Sequence, residues 1–171
     1  MRLAGIDAPE KANFGQQGQK YAGAAQEFLS RLVMRKKVTV QVHGFDVYDR
    51  AVSTMYVKTR IPFWKRNVAL EVVKAGYAVV YKGQGAEYGG FLNKFIAAER
   101  FAKWRGRGMW KAAKSGNLVL PHEYKKAVRN GNGNAAVKLR GDTSKGKTAA
   151  NGGLGTFSSI LKALQRLLPS R

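Results

Sequence analysis

The chain has 171 residues, 44% of them hydrophobic, and carries 31 Lys or Arg against 10 Asp or Glu, a formal charge of +21. The length suits one domain with a tail, and the apolar content is enough to build a core. The absence of cysteine excludes a disulfide scaffold, a thiolate zinc site and a cysteine nucleophile.

In chain order, Leu3 to Ile6 reads as the end of a strand, stopped by an Asp7-Ala8-Pro9 turn. Gln19 to Met34 is expected to be a helix, with Tyr21, Ala25, Phe28, Leu29, Leu32 and Val33 on one side. Val38, Val40 and Val42 alternate with Thr39 and Gln41, the pattern of a half-buried strand. Ala51 to Val57 is a second strand, joined to the first by a turn over Asp46 to Arg50. Asn67 is placed to cap a helix over Val68 to Ala75 that stops at Gly76. Tyr77 to Tyr81 follows as a short strand. Phe91 to Trp104 is a helix with Phe91, Phe95, Ala98 and Ala102 towards the core, ended by Gly106 and Gly108, with Trp110 folding back onto it. Pro121 opens one more short helix.

Residues 1–129 are expected to be the folded domain. The composition changes at Asn130, and residues 130–156, rich in Gly, Asn, Lys and Thr, read as a flexible linker. In the last segment, 157–171, Phe157, Ile160, Leu161, Leu164, Leu167 and Leu168 recur at helical spacing with Lys162 and Arg166 off that face. This is a short basic amphipathic helix, which either docks on the protein itself or meets an anionic membrane surface or a partner groove.

The charge favours a polyanion, and nucleic acid leads; an anionic membrane, an acidic surface or a generally basic compartment are the alternatives. Of the basic residues, 24 precede Asn130, as do 9 of the acidic ones, so the charge belongs to the domain rather than to the tail. No apolar run approaches the roughly 18 to 20 residues of a membrane span. Met1 and Arg2 lead directly into a strand-like run, which is not the pattern of a secretory leader.

Two carboxylates, Asp7 and Glu10, stand three residues apart at a strand end, in a turn stiffened by Pro9. A stiff turn can hold two oxygen donors towards one hard cation. Arg2 lies on the same strand, and Arg50 sits in a turn with Asp46 and Asp49. Carboxylates, a divalent ion and two guanidinium forks suit phosphodiester hydrolysis: a carboxylate takes a proton from water, and arginines grip phosphate oxygens. A capped turn with ordinary surface ion pairs is the plainer alternative. His43 and His122 are isolated and make no metal pair, and the Gly83-Gln-Gly85 and Gly131-Asn-Gly133 stretches lack the context of a phosphate loop. Arg35-Lys36-Lys37 and the Lys103-Trp104-Arg105-Gly106-Arg107 cluster are solvated faces or rails for a nucleic-acid backbone, with Trp104 offering a stacking surface. Glu99 reads as a helix-surface ion pair.

Arg2 to Glu10 closely resembles the R-L-x-x-[IV]-D-x-P-E signature of the staphylococcal-nuclease (thermonuclease) family, and Asp46-Val47-Tyr48-Asp49-Arg50 resembles its D-x-Y-x-R turn. Later motifs, from Asn67 through Gly76 to Tyr81, Glu87 to Gly90, Ala98-Glu99 and Gly106 to Trp110, look like the fungal mitochondrial branch, the long-chronological-lifespan endonucleases. The resemblance spans roughly residues 1–126. It implies an α+β fold: an OB-type β-barrel with about three packed helices. It implies a calcium-dependent endonuclease acting on DNA or RNA, with a mitochondrial, membrane-associated location. Residue by residue, it implies that Arg2 and Arg50 bind phosphate and stabilise the transition state, and that Glu10 is the general base. Asp7 and the carbonyl of Ala8 are implied as metal ligands. Tyr48 and Tyr81 fall where the family places tyrosine near the nucleotide, with packing in the barrel wall as the alternative. The family pattern begins with strands that supply a further aspartate, and this chain enters the pattern at Arg2. The expectation is therefore an incomplete barrel, an exposed sheet edge, an Arg2 that frays unless tied down and a thin metal shell, with a catalytically inactive nucleic-acid-binding OB module as the alternative function.

Overall fold

The computed structural model describes residues 1–12, 17–59 and 64–131. The expected terminal helix lies outside these residues, as does all of the expected linker beyond residue 131. The elements, in chain order, are strands β1 (Arg2–Leu3) and β2 (Ile6–Asp7), helix α1 (Ala22–Val33), strands β3 (Val38–Phe45), β4 (Ala51–Lys58) and β5 (Lys65–Asn67), helix α2 (Val68–Lys74), strand β6 (Val79–Val80), and helices α3 (Leu92–Arg105), α4 (Trp110–Ala113) and α5 (Pro121–Arg129).

Strand β4 is the hub of the larger sheet. It pairs antiparallel with β3 along its length, parallel with β1 at Val52 and Ser53, and antiparallel with β5 at its far end. The sheet order is β1-β4-β3 with β5 also on β4, and β2 pairs separately with β6. This mixed arrangement is consistent with an OB-type fold, and among the described residues the barrel is not closed. Five helices are described rather than about three. Of these, α2 is the central one, packing on α1, α3, β4 and β5. Its start follows from Asn67, whose side chain accepts the Leu70 N–H at 3.0 Å.

Burial follows the apolar periodicity. The main core joins Leu3 and Ile6 to Leu29 and Val33 of α1, Met55 and Val57 of β4, Val68 and Val72 of α2, and Phe95 of α3. A smaller cluster gathers Val79, Ala102, Met109 and Trp110, with Leu118 and Leu120 packed against it. Trp110 does fold back towards α3, as its position after the glycine pair suggests.

Two expectations are corrected by packing. The first strand is broken at Ala4-Gly5 into β1 and β2. Gly5 has φ +73°, and a Cβ there would sit 2.8 Å from the Phe95 ring and 2.9 Å from the Tyr88 ring. The chain therefore turns sharply under α3, and only a residue without a side chain fits. In β3 the alternation fails at its end. The register shifts between Val42 and Gly44, leaving His43 as an extra residue, and Val42 is 47% exposed rather than half-buried. A bulge of this kind re-aims the residues beyond it.

Arg2 does not fray. Its backbone is held in β1 against Val52 of β4, and its carbonyl accepts a long hydrogen bond from the Ser53 hydroxyl at 3.4 Å.

Candidate active site

The turn between β3 and β4 is organised by one side chain. Asp46 Oδ1 accepts the backbone N–H groups of Tyr48 at 2.9 Å and Arg50 at 3.0 Å. Its backbone N–H bonds the Arg50 carbonyl at 3.0 Å, and Asp49 takes φ +55°, a conformation aspartate tolerates. With Oδ1 used on the backbone, Oδ2 faces the guanidinium of Arg50, which donates Nε and Nη2 to it, each at 2.7 Å. Arg2 Nη1 approaches the same oxygen from β1 at 3.7 Å. Desolvation, the largest single influence on this carboxyl, acts upward. It is outweighed by the Arg50 side-chain hydrogen bonds, the Arg50 and Tyr48 N–H groups and the Arg50 charge, which hold the pKa down at about 2.

One guanidinium group from β1 and one from the β3–β4 turn therefore meet at Asp46. Each also lies over a tyrosine: Arg2 over Tyr81 at 5.1 Å and Arg50 over Tyr48 at 4.9 Å. Tyr48 is 75% exposed, so its ring is not wall packing. Tyr81 is half-buried, and its position is set by its N–H to the Gly5 carbonyl at 3.0 Å.

The carboxylates Asp7 and Glu10 converge as well, on a partner with no local signal in the sequence. Lys125 Nζ of α5 lies 2.5 Å from Asp7 Oδ1 and 3.2 Å from Glu10 Oε1. Gln19 ties the Glu10 segment to the approach to α5: its Oε1 accepts the Glu10 N–H at 2.9 Å and its Nε2 donates to the Val119 carbonyl at 2.9 Å. Tyr124, nearly fully buried, donates its hydroxyl to the Gln17 carbonyl. Its burial, with the nearby Glu10 charge, pushes its pKa up. The site is thus two charge clusters, the Arg2–Asp46–Arg50 group and the Asp7–Lys125–Glu10 group, joined through the short β1–β2 segment and its pairing with β6.

Other candidates resolve plainly. Glu99 Oε2 pairs with Lys103 at 3.2 Å, and its other oxygen accepts the Val80 N–H at 3.3 Å. His43 bonds the Thr54 hydroxyl at 2.8 Å. Trp104 is 71% exposed, with the Arg105 guanidinium over its ring at 5.2 Å, and Arg107 lies over Phe101 at 4.8 Å.

Among the described residues no three His, Cys, Asp or Glu side chains gather as a metal-binding group. The donors that the resemblance implies for calcium, the Asp7 carboxylate and the Ala8 carbonyl, are hard oxygens of the right kind. Both carboxylates of this turn face one cationic group, the Lys125 ammonium.

A small α+β domain, consistent with an OB-type fold, that carries a pair of arginines on one carboxylate and a pair of carboxylates on one lysine is the class that the fold and charge geometry support. Residues 1–112 match the family model described as staphylococcal nuclease homologue, and the chain belongs to that family. A protein named probable endonuclease LCL3 from Paracoccidioides brasiliensis (strain Pb03) is 41% identical over 142 residues, covering 80% of this chain and 41% of its own length. A protein of the same name from Podospora anserina is 38% identical over 134 residues, 76% of this chain and 48% of its own. One from Aspergillus clavatus is 43% identical over 118 residues, 65% of this chain and 40% of its own. The chain thus spans less than half the length of these curated relatives. Among the described residues no helix is long and apolar enough to cross a membrane.

Proposed function

We propose that this chain hydrolyses internal phosphodiester bonds of DNA or RNA as a calcium-dependent endonuclease. The observation that carries the reading is the meeting of Arg2 and Arg50 at Asp46, which holds two guanidinium forks at one point. The relatives named probable endonucleases support the same reaction class.

In this mechanism the phosphate enters against the donors of Arg2 and Arg50 that Asp46 leaves free. A guanidinium has five N–H donors, and Arg50 gives only two of them to Asp46. The two forks then stabilise charge as it grows on the phosphoryl oxygens. Glu10 accepts the proton of the attacking water. Asp7 and the Ala8 carbonyl would hold the calcium ion; the chemistry it supplies when bound is charge compensation at phosphate and acidification of water. Tyr48 and Tyr81 flank the forks and contact the nucleotide. The exposed Trp104 with Arg105 offers a stacking and phosphate-binding surface for the strand beyond the cleavage site.

Plasmid nicking with and without calcium, repeated with Glu10→Gln, tests the assignment. Loss of calcium-dependent nicking in the variant is expected. Undiminished cleavage would remove Glu10 as the base, and salt-sensitive binding without any cleavage would leave only a nucleic-acid-binding module.

A further inference from the structure

Helix α5 is fastened to the carboxylate turn by more than one bond. Pro121 starts it, and Glu123 accepts the Leu120 N–H at 3.0 Å, so the first turn is well formed. Leu118 and Leu120 pack on the small core that contains Val79, the residue paired with Asp7. Gln19 and Tyr124 stitch the same region to the backbone at residues 10 and 17. These contacts deliver Lys125 to a fixed place.

An ammonium group has three donors and no acceptor. Here it bridges two carboxylates that a proline-stiffened turn holds close together, at 2.5 and 3.2 Å. A lysine ammonium is an ordinary cation at neutral pH, so the group that bridges the two carboxylates is positively charged. A hard divalent ion would seek these same oxygens. The family-model match ends at residue 112, and Lys125 lies beyond it.

We propose that Lys125 is a built-in competitor for the divalent cation: its ammonium fills the cation position between Asp7 and Glu10, and a metal such as calcium binds there only by displacing it. The inference rests on reading Asp7 as a metal ligand. Displacement needs no unfolding of α5, because the Lys125 side chain is 46% exposed and its four-carbon stem can swing the charge into water. While Lys125 is in place it also occupies Glu10, so release of the lysine frees the carboxylate that would take the proton.

The test is calcium binding itself, by calorimetry on the purified chain. Lys125→Met keeps the apolar stem and removes the charge. Lys126→Met, on the exposed neighbour, removes the same net charge elsewhere. The Lys125→Met protein is expected to bind calcium about tenfold or more tightly than wild type, a gain of about 1.4 kcal/mol. Its thermal midpoint is expected to fall in chelator and to recover in calcium, while Lys126→Met follows wild type. Lys125→Gln serves where the Met variant does not fold, and Lys125→Arg, which keeps the charge, should bind no more tightly than wild type. Equal or weaker calcium affinity in Lys125→Met, a matching gain in Lys126→Met or Lys125→Arg, or no calcium binding by any form would overturn the proposal. Calcium-dependent nicking that Glu10→Gln abolishes, together with equal calcium affinity in wild type and Lys125→Met, would leave the nuclease reading standing while this proposal fails.

Discussion

Replacing Asp46 by Asn isolates the part of the site that holds the two forks in place. The amide oxygen of Asn can still accept the Tyr48 and Arg50 N–H groups, so the turn keeps its backbone bonds. The group facing Arg50 becomes an NH2, a donor set against donors, where the carboxylate accepted Nε and Nη2 at 2.7 Å. Hydrogen bonds to charged groups contribute about 1.5–3 kcal/mol when shielded. Arg50 is 45% exposed, and water screens the pair, so a loss of about 1 kcal/mol is the better figure. For a domain of this size that lowers the thermal midpoint by roughly 3–6 °C. Activity should fall further than stability. A fork that is free to rotate loses its alignment with phosphate, and the loss of one positioned donor typically costs on the order of 100-fold or more in kcat.

The pH dependence carries its own sign. The Asp46 pKa lies below its ordinary 3.8, at about 2, so the stabilisation is complete above pH 4 and is lost as pH falls from there towards 2. Thermal melts of wild type and Asp46→Asn between pH 2 and 7 should differ by a constant amount above pH 4 and converge below it. Plasmid nicking at pH 7 by both forms supplies the activity arm. A variant with wild-type melting and wild-type nicking would refute the idea that Asp46 orients Arg50.

Gly5→Ala should lower stability by about 2–4 kcal/mol, because the new methyl meets two rings at under 3 Å in a backbone conformation that alanine resists. Urea denaturation checks this, and an unchanged midpoint would show that the Ala4-Gly5 break is not set by Phe95 and Tyr88. Trp104→Ala combined with Arg105→Ala should weaken binding of a single-stranded oligonucleotide about tenfold or more, since stacking contributes about 1–3 kcal/mol per base. Fluorescence anisotropy at fixed salt reads this effect, and an unaltered affinity excludes the patch from the strand's path.

The parts of this protein that were legible in its sequence are those whose chemistry closes within a few residues. The Asp46 to Arg50 turn, the Asn67 cap and the end of α3 at Gly106 depend on neighbours two to four positions away. The convergence of Arg2 and Arg50 could be inferred only through resemblance, because β1 reaches β4 by long-range pairing. The break at Gly5 and the bulge at His43 depend on α3 and on strand register, which no local pattern records. Asp46 stood in plain view, but its role as the shared anion emerges only when two strands meet. Lys125 was invisible for a stronger reason: its partner Asp7 is 118 positions away, and an exposed-looking lysine on a short helix resembles many others.

Among the described residues strand β3 ends the sheet order, and its outer side presents backbone N–H and C=O groups along an eight-residue strand. This side, like the β1 end of the order, is open to an added strand, including one from another copy of the chain. The kink at His43 divides that seam into a longer run, 38–42, and a stub, 44–45. A strand added at β3 therefore finds a seam with only one well-matched stretch, which restricts its alignment.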